Sequence, residues 1–136
     1  WAKPVPVDFF NLKNPKQGMI WVGLAGPVAN ILFAIVLSLL LKIPLLTTSY
    51  LAVSVITTAI MANLVLAVFN LLPIPPLDGS RVMMGLLPYN LSVEYAKIEP
   101  YGFIIIFALL WLNVINTVIW PIVIFLARLL GVNFGM

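Results

Sequence analysis

Asp78 is a carboxylate in a costly position. It follows a long uncharged run and comes directly after Pro73, Pro75 and Pro76. A charged group beside apolar spans is expensive, and such groups usually serve a function; a carboxylate there can hold a cation. A second interpretation stays open, because Asp is also a favoured N-cap residue and Asp78 precedes a short amphipathic stretch.

The residues before Asp78 indicate the kind of site it occupies. Asn70 places a polar amide at the end of the preceding apolar run, and no helix continues through the prolines that follow. Irregular backbone at membrane depth survives only when it is buried in protein or lines a wet cavity. The loop 73–77 is therefore predicted to line an internal cavity, with Asn70 and Asp78 at its two ends.

Three long apolar runs must position this loop. They cover residues 19–41, 50–72 and 101–130, in a chain that is 63% hydrophobic and 8% charged. Soluble domains carry about 25% charged residues. A helix of 23 residues spans about 34 Å, enough to cross a hydrocarbon core of about 30 Å. We predict an all-α integral membrane protein with about three transmembrane helices in contact with the lipid bilayer.

The remaining segments are predicted to be non-spanning parts of one membrane domain, 1–136. Residues 1–18 read as an extended segment, and residues 73–100 as a proline-rich loop followed by a short interfacial helix. Because the chain begins abruptly at Trp1, we expect it to be the C-terminal part of a longer protein. Five cationic residues against two favour a cytoplasmic location for the N-terminal side: Lys3, Lys13, Lys16, Arg81 and Lys97 against Lys42 and Arg128.

Composition also excludes several kinds of site. The sequence has no cysteine and no histidine, so disulfides, thiolate sites and histidine ligands from this chain are ruled out. The net charge of +3 is scattered, whereas a nucleic-acid interface needs a clustered basic face. No nucleic-acid partner is expected. Glu94 and Glu99 lie in the polar loop and read as solvated charges rather than a general base.

Three motifs carry a resemblance to a known family. Asn70-x-x-Pro73-x-Pro75-x-x-Asp78-Gly79 resembles the Asn-x-x-Pro-x-Pro-x-x-Asp-Gly motif of the site-2 protease family of intramembrane zinc metalloproteases. Residues 1–7 (Trp-Ala-Lys-Pro-Val-Pro-Val) are similar to a stretch of its short bacterial members. Residues 25–30 (Ala-Gly-Pro-Val-Ala-Asn) resemble the start of one of their helices. The matches follow the family's order and span residues 1–79.

The resemblance implies a mechanism and assigns residues to it. In this family a His-Glu-x-x-His helix supplies two zinc ligands and the general base, and the motif's aspartate completes the site. Carried over, Asp78 would bind zinc and Asn70 would hydrogen-bond substrate or the developing oxyanion. Asn30 would lie near the active site, and the Pro4–Val5 stretch could present a strand edge to an extended substrate. The substrate would be a transmembrane segment of another membrane protein.

The chain departs from the family pattern at the metal site. It has no His-Glu-x-x-His, so alone it is expected to be inactive. The simple explanation is a metal helix upstream of residue 1. Two alternatives stay open: a non-catalytic homologue that binds membrane helices, and a small transporter subunit. The resemblance suggests a bacterial cytoplasmic membrane, and nothing in the sequence indicates the oligomeric state.

Overall fold

The computed structural model describes residues 15–133, which form helices joined by short turns, with no strand in that range. The α-helices are α1 (Pro15–Leu40), α2 (Pro44–Thr47), α3 (Tyr50–Asn70), α4 (Asp78–Leu86), α5 (Tyr89–Ala96), α6 (Gly102–Trp111) and α7 (Trp120–Leu129). A 3-10 turn (Glu99–Tyr101) precedes α6, and a π-helix (Ile115–Ile119) precedes α7. The predicted all-helical membrane fold is confirmed.

Two helices are long and apolar enough to cross a membrane. They cover Lys16–Leu40 and Tyr50–Asn70, close to the first two predicted spans. α1 begins at Pro15, four residues before the predicted start, because the first turn of a helix does not need the N–H that proline lacks. Residues 15–18 are thus helical, unlike the predicted extended segment; residues 1–14 lie outside the described range.

α1 and α3 pack against each other, and α7 packs against α3. Their shared core is apolar and consists of Ala34, Ile60, Leu64, Val68, Ile119, Val123, Ala127 and Val132. Ser49 lies between α2 and α3, and its hydroxyl accepts a hydrogen bond of 3.3 Å from the Ala52 N–H. This side-chain cap satisfies one of the free donors at the start of α3.

α4 folds back along α1. A Cβ atom added at Gly23 would lie 2.8 Å from the Asp78 carbonyl oxygen, and one at Gly85 would lie 2.6 Å from the Lys16 carbonyl oxygen. Since Asp78 is the first residue of α4 and Gly85 lies near its end, the two helices run antiparallel at close range. The glycines allow this approach, as small residues do where membrane helices pack. The predicted proline-rich loop before a short helix is confirmed.

The third apolar run differs from its prediction. Instead of one span over 101–130 interrupted at Pro121, the helices on either side of residues 112–114 meet at a bend of 72°. Asn113 has a φ of 64°, a left-handed conformation that Asn tolerates better than most residues. Pro121 lies in the first turn of α7, where it breaks nothing. The described chain therefore has two spans, or three if this bent pair crosses the membrane as one.

Candidate active site

Asp78 is the first residue of α4, and it is not that helix's N-cap. Leu77 occupies the cap position with extended backbone, and no side chain there caps a free N–H. A carboxylate in the first turn still interacts favourably with the positive end of the helix dipole. Because Asp78 is not the N-cap, its carboxylate oxygens are not occupied by capping. Their surroundings decide what they can bind.

The carboxylate lies against the middle of α1. A Cβ atom added at Gly26 would be 2.8 Å from Oδ2 of Asp78, so only a glycine leaves room for that oxygen as it stands. Gly26 is eleven residues past Pro15, about 16 Å along a helix that rises 1.5 Å per residue. The Asp78 side chain is 27% exposed. It is therefore held near the mid-depth of the first candidate span and is still partly open.

Arg81 is the charged neighbour of Asp78. Its Nη1 lies 3.5 Å from Oδ1, one helical turn along α4, and its side chain is 40% exposed. The two carboxylate oxygens therefore have different surroundings, because Oδ1 faces a guanidinium and Oδ2 faces the α1 backbone at Gly26. An opposite charge nearby offsets part of the cost of keeping a carboxylate at membrane depth.

The loop 71–77 joins the end of α3 to Asp78 and closes tightly. The Ile74 N–H donates to the Leu72 carbonyl at 2.8 Å, and the Leu77 N–H donates to the Ile74 carbonyl at 2.8 Å. Gly79 packs on the backbone carbonyls at the start of this loop, where a Cβ atom would overlap the oxygens of Leu71 and Leu72. The loop thus returns to its origin, which places Asp78 beside the end of α3.

The other predicted site residues that the structure describes lie on α3 and α1. Asn70 is the last residue of α3 and is half-buried. Asn30, also half-buried, lies one turn beyond Gly26 on α1, so the two share one side of that helix. Pro4 and Val5 lie outside the described residues. Glu94 pairs with Lys97 on an exposed surface, as expected of a solvated charge.

The family pattern of Peptidase family M50 matches residues 42–113, more than half of the chain. The chain belongs to peptidase family M50. This match covers the proline-rich loop and Asp78, and it confirms the resemblance to the site-2 proteases.

Two curated relatives extend this comparison. YwhC of Bacillus subtilis, whose name describes it as a zinc metalloprotease, is 35% identical over 128 residues, which are 89% of this chain and 58% of YwhC. The zinc metalloprotease MJ0392 of Methanocaldococcus jannaschii is 31% identical over 80 residues, 55% of this chain and 22% of that protein. The chain thus spans less than two thirds of either relative. No solved structure matches it significantly.

The residues that the structure describes do not form a complete zinc site. No three His, Cys, Asp or Glu side chains come together within residues 15–133. Zinc sites usually take four ligands, of which a catalytic site leaves one position for water. Asp78 offers one oxygen donor of the right kind, and the sequence contains no histidine to accompany it. A zinc ion bound by Asp78 would need its remaining ligands from outside residues 15–133, and none of them could be a histidine of this chain.

Sequence reasoning missed several residues that surround Asp78 and its loop. Gly23 receives the start of α4, and Gly26 receives the Asp78 carboxylate, and neither role was predicted from the sequence. Their spacing of three was a usable signal for close backbone approach. Tyr95, whose hydroxyl donates to the Pro73 carbonyl, had no such signal, because nothing in the sequence pairs residues 22 positions apart.

Proposed function

We propose that this chain is the part of an intramembrane zinc metalloprotease that supplies Asp78 to the metal. One observation carries the proposal: the Asp78 carboxylate lies against Gly26, near the middle of a candidate membrane span. Burying a charge so deep is unfavourable unless the charge is paired or binds a cation. The contact with Arg81 is made by Oδ1, which leaves Oδ2 available to a cation. Membership of the M50 family and the names of the two relatives support zinc as that cation.

The roles of this chain's residues follow from their positions. Asp78 would contribute one oxygen to the metal shell, and a bound zinc would supply an activated water and polarise the scissile carbonyl. Asn70, at the end of α3, would hydrogen-bond the substrate backbone or the developing oxyanion. Arg81 would keep Oδ1 oriented. The irregular loop 71–77 would line the hydrated pocket that hydrolysis in a bilayer requires.

The substrate class is a transmembrane segment of another membrane protein. Asn30 lies on the same side of α1 as Gly26, where it would contact such a segment near the metal. Pro4 and Val5 would pair with its extended backbone. The protein would act in a bacterial cytoplasmic membrane with the N-terminal side of this chain in the cytoplasm, as its excess of cationic residues favours.

The test replaces Asp78 in the full-length protein. Loss of a group that merely orients a metal ligand costs about 10–100-fold in metal affinity, so Asp78→Asn should weaken zinc binding by at least about 100-fold. Cleavage of a model transmembrane substrate should fall with it. Zinc content of the purified protein and the cleavage rate are the measurements. Glu94→Gln is the matched control, because it removes a carboxylate from an exposed pair on the neighbouring helix.

The same experiment can contradict the proposal in two ways. Unchanged zinc and cleavage in Asp78→Asn would remove Asp78 from the metal shell. A full-length parent that neither holds zinc nor cleaves, yet binds transmembrane helices, would identify a non-catalytic homologue instead.

A further inference from the structure

The loop 71–77 has more carbonyl groups than it can satisfy itself. Its prolines lack an N–H, and its internal backbone bonds use the carbonyls of Leu72 and Ile74. No described backbone donor reaches the carbonyls of Pro73 or Pro75. The loop is therefore not held by its own backbone bonds alone, and contacts from other segments to these two groups bear on how it is held.

The first partner comes from α5. The half-buried side chain of Tyr95 donates its hydroxyl hydrogen to the Pro73 carbonyl. This bond links the middle of the loop to a helix 22 residues later in the chain.

The second contact is a packing contact and comes from the start of α6. Gly102 is buried, and a Cβ atom there would overlap the Pro75 carbonyl and lie 3.1 Å from Cδ of Pro76. Otherwise α6 packs appreciably only against the 3-10 turn before it, among the described elements. General packing of α6 therefore does not account for this close approach, which is specific to the loop.

We propose that the segment 95–102 holds the loop 71–77 in place, and that Tyr95 is thereby a positioning residue for Asp78. Gly79 fixes the loop on one side by packing on the Leu71 and Leu72 carbonyls. Tyr95 and Gly102 fix it on the other. The catalytic consequence rests on the proposed protease function, whereas the holding of the loop does not.

The primary test measures amide hydrogen exchange in the loop of the full-length protein in detergent micelles. Tyr95→Phe removes only the hydroxyl, so the amides of Ile74 and Leu77 should open more often. The loss of one hydrogen bond predicts exchange about 2- to 10-fold faster at those amides. Tyr89→Phe is the matched control, because Tyr89 lies on the same helix and is 77% exposed. Its loop exchange should equal that of the parent.

A second variant approaches the loop from the other contact. Gly102→Ala should also speed loop exchange, because its methyl group must displace the Pro75 carbonyl. Exchange in the core of α3 reports whether either variant has lost its fold. Unchanged loop exchange in both variants, with the α3 core still protected, would overturn the inference.

The catalytic part is tested separately. In an active parent, Tyr95→Phe should lower kcat with little change in KM, because the loop orients Asp78 rather than binding most of the substrate. Faster loop exchange with an unchanged kcat would overturn the positioning role. If the parent neither binds zinc nor cleaves, the proposed function fails, and the exchange data still decide whether the segment 95–102 holds the loop.

Discussion

Two ion pairs in this chain have the same spacing in sequence and different surroundings. Asp78 and Arg81 lie one turn apart on α4, and Glu94 and Lys97 lie one turn apart at the end of α5. The Glu94 pair is exposed, with 67% and 66% of its side chains accessible, and its atoms are 2.9 Å apart. The Asp78 pair is less exposed, at 27% and 40%, yet its nitrogen and oxygen are 3.5 Å apart.

The difference shows that helical spacing alone does not determine what a carboxylate does. The exposed pair forms a short contact because both side chains are free to meet, and such pairs contribute little to stability. The backbone around Asp78 is instead fixed by α1 at Gly23 and by the loop at Gly79. Arg81 contacts Oδ1 of Asp78, so Oδ2 keeps capacity for another ligand, as the proposed metal site requires.

The largest expected effect comes from the packing that fixes Asp78. Gly23→Ala would place a methyl group 2.8 Å from the Asp78 carbonyl and 2.9 Å from a Val82 methyl, so α1 and α4 must separate. Overpacking of this kind costs about 1–3 kcal/mol, and the higher helix propensity of Ala returns about 1 kcal/mol, so we expect a net loss of up to about 2 kcal/mol in the free energy of unfolding. Denaturant titration of the purified protein in detergent measures it.

Ala29→Ser is the control, because it adds one atom at an exposed position of the same helix. It should leave the contact between α1 and α4 intact and change the free energy of unfolding by no more than about 0.5 kcal/mol. If Gly23→Ala proved as stable as the parent, the α1–α4 contact could not be what holds Asp78 at depth.

A smaller effect is expected from the cations of the two pairs. Arg81→Gln leaves Asp78 without its nearest opposite charge, and we expect a loss of about 1 kcal/mol. That value lies at the upper end for exposed pairs and below the cost of breaking a fully buried pair. Lys97→Gln should cause no change beyond the error of the same titration. Equal losses in the two variants would mean that the depth of the Asp78 pair has no energetic consequence.

Much of this architecture could be predicted because it depends on composition and on local chemistry. The first two spans follow from uncharged runs of sufficient length, and the end of α3 follows from the prolines beginning at Pro73. Asp78 was recognisable because a carboxylate next to such runs is costly. Each of these signals lies within a few residues of the feature that it predicts.

Features that have no clear local signal, or that depend on contacts between distant segments, could not be predicted. The bend at residues 112–114 uses the left-handed backbone of Asn113, whereas Pro121 was the more obvious local signal and lies harmlessly in the first turn of α7. The bond from Tyr95 to Pro73 and the position of Gly26 beneath the Asp78 carboxylate depend on how helices pack. Only the folded chain brings these residues together.

The smallest expected effect on stability should come from Gly26→Ala. Its methyl group would lie 2.8 Å from Oδ2, the end of a side chain that can rotate, and Gly26 is otherwise exposed. Higher helix propensity, about 1 kcal/mol in favour of Ala, should offset most of the contact's cost. The carboxylate nevertheless has to move, so zinc affinity of the full-length protein should fall about 10-fold, as when a group that orients a ligand is lost.

Zinc competition with a chelator dye measures this affinity, and denaturant titration confirms that the fold is retained. Ala29→Ser is the matched control, because it adds one atom to an exposed position on α1 three residues further along. Normal zinc affinity in Gly26→Ala would mean that Asp78 reaches the metal equally well from another rotamer. The contact with Gly26 would then show only where the carboxylate lies when no metal is bound. The lower exposure of the Asp78–Arg81 pair would remain the one difference from the exposed Glu94–Lys97 pair.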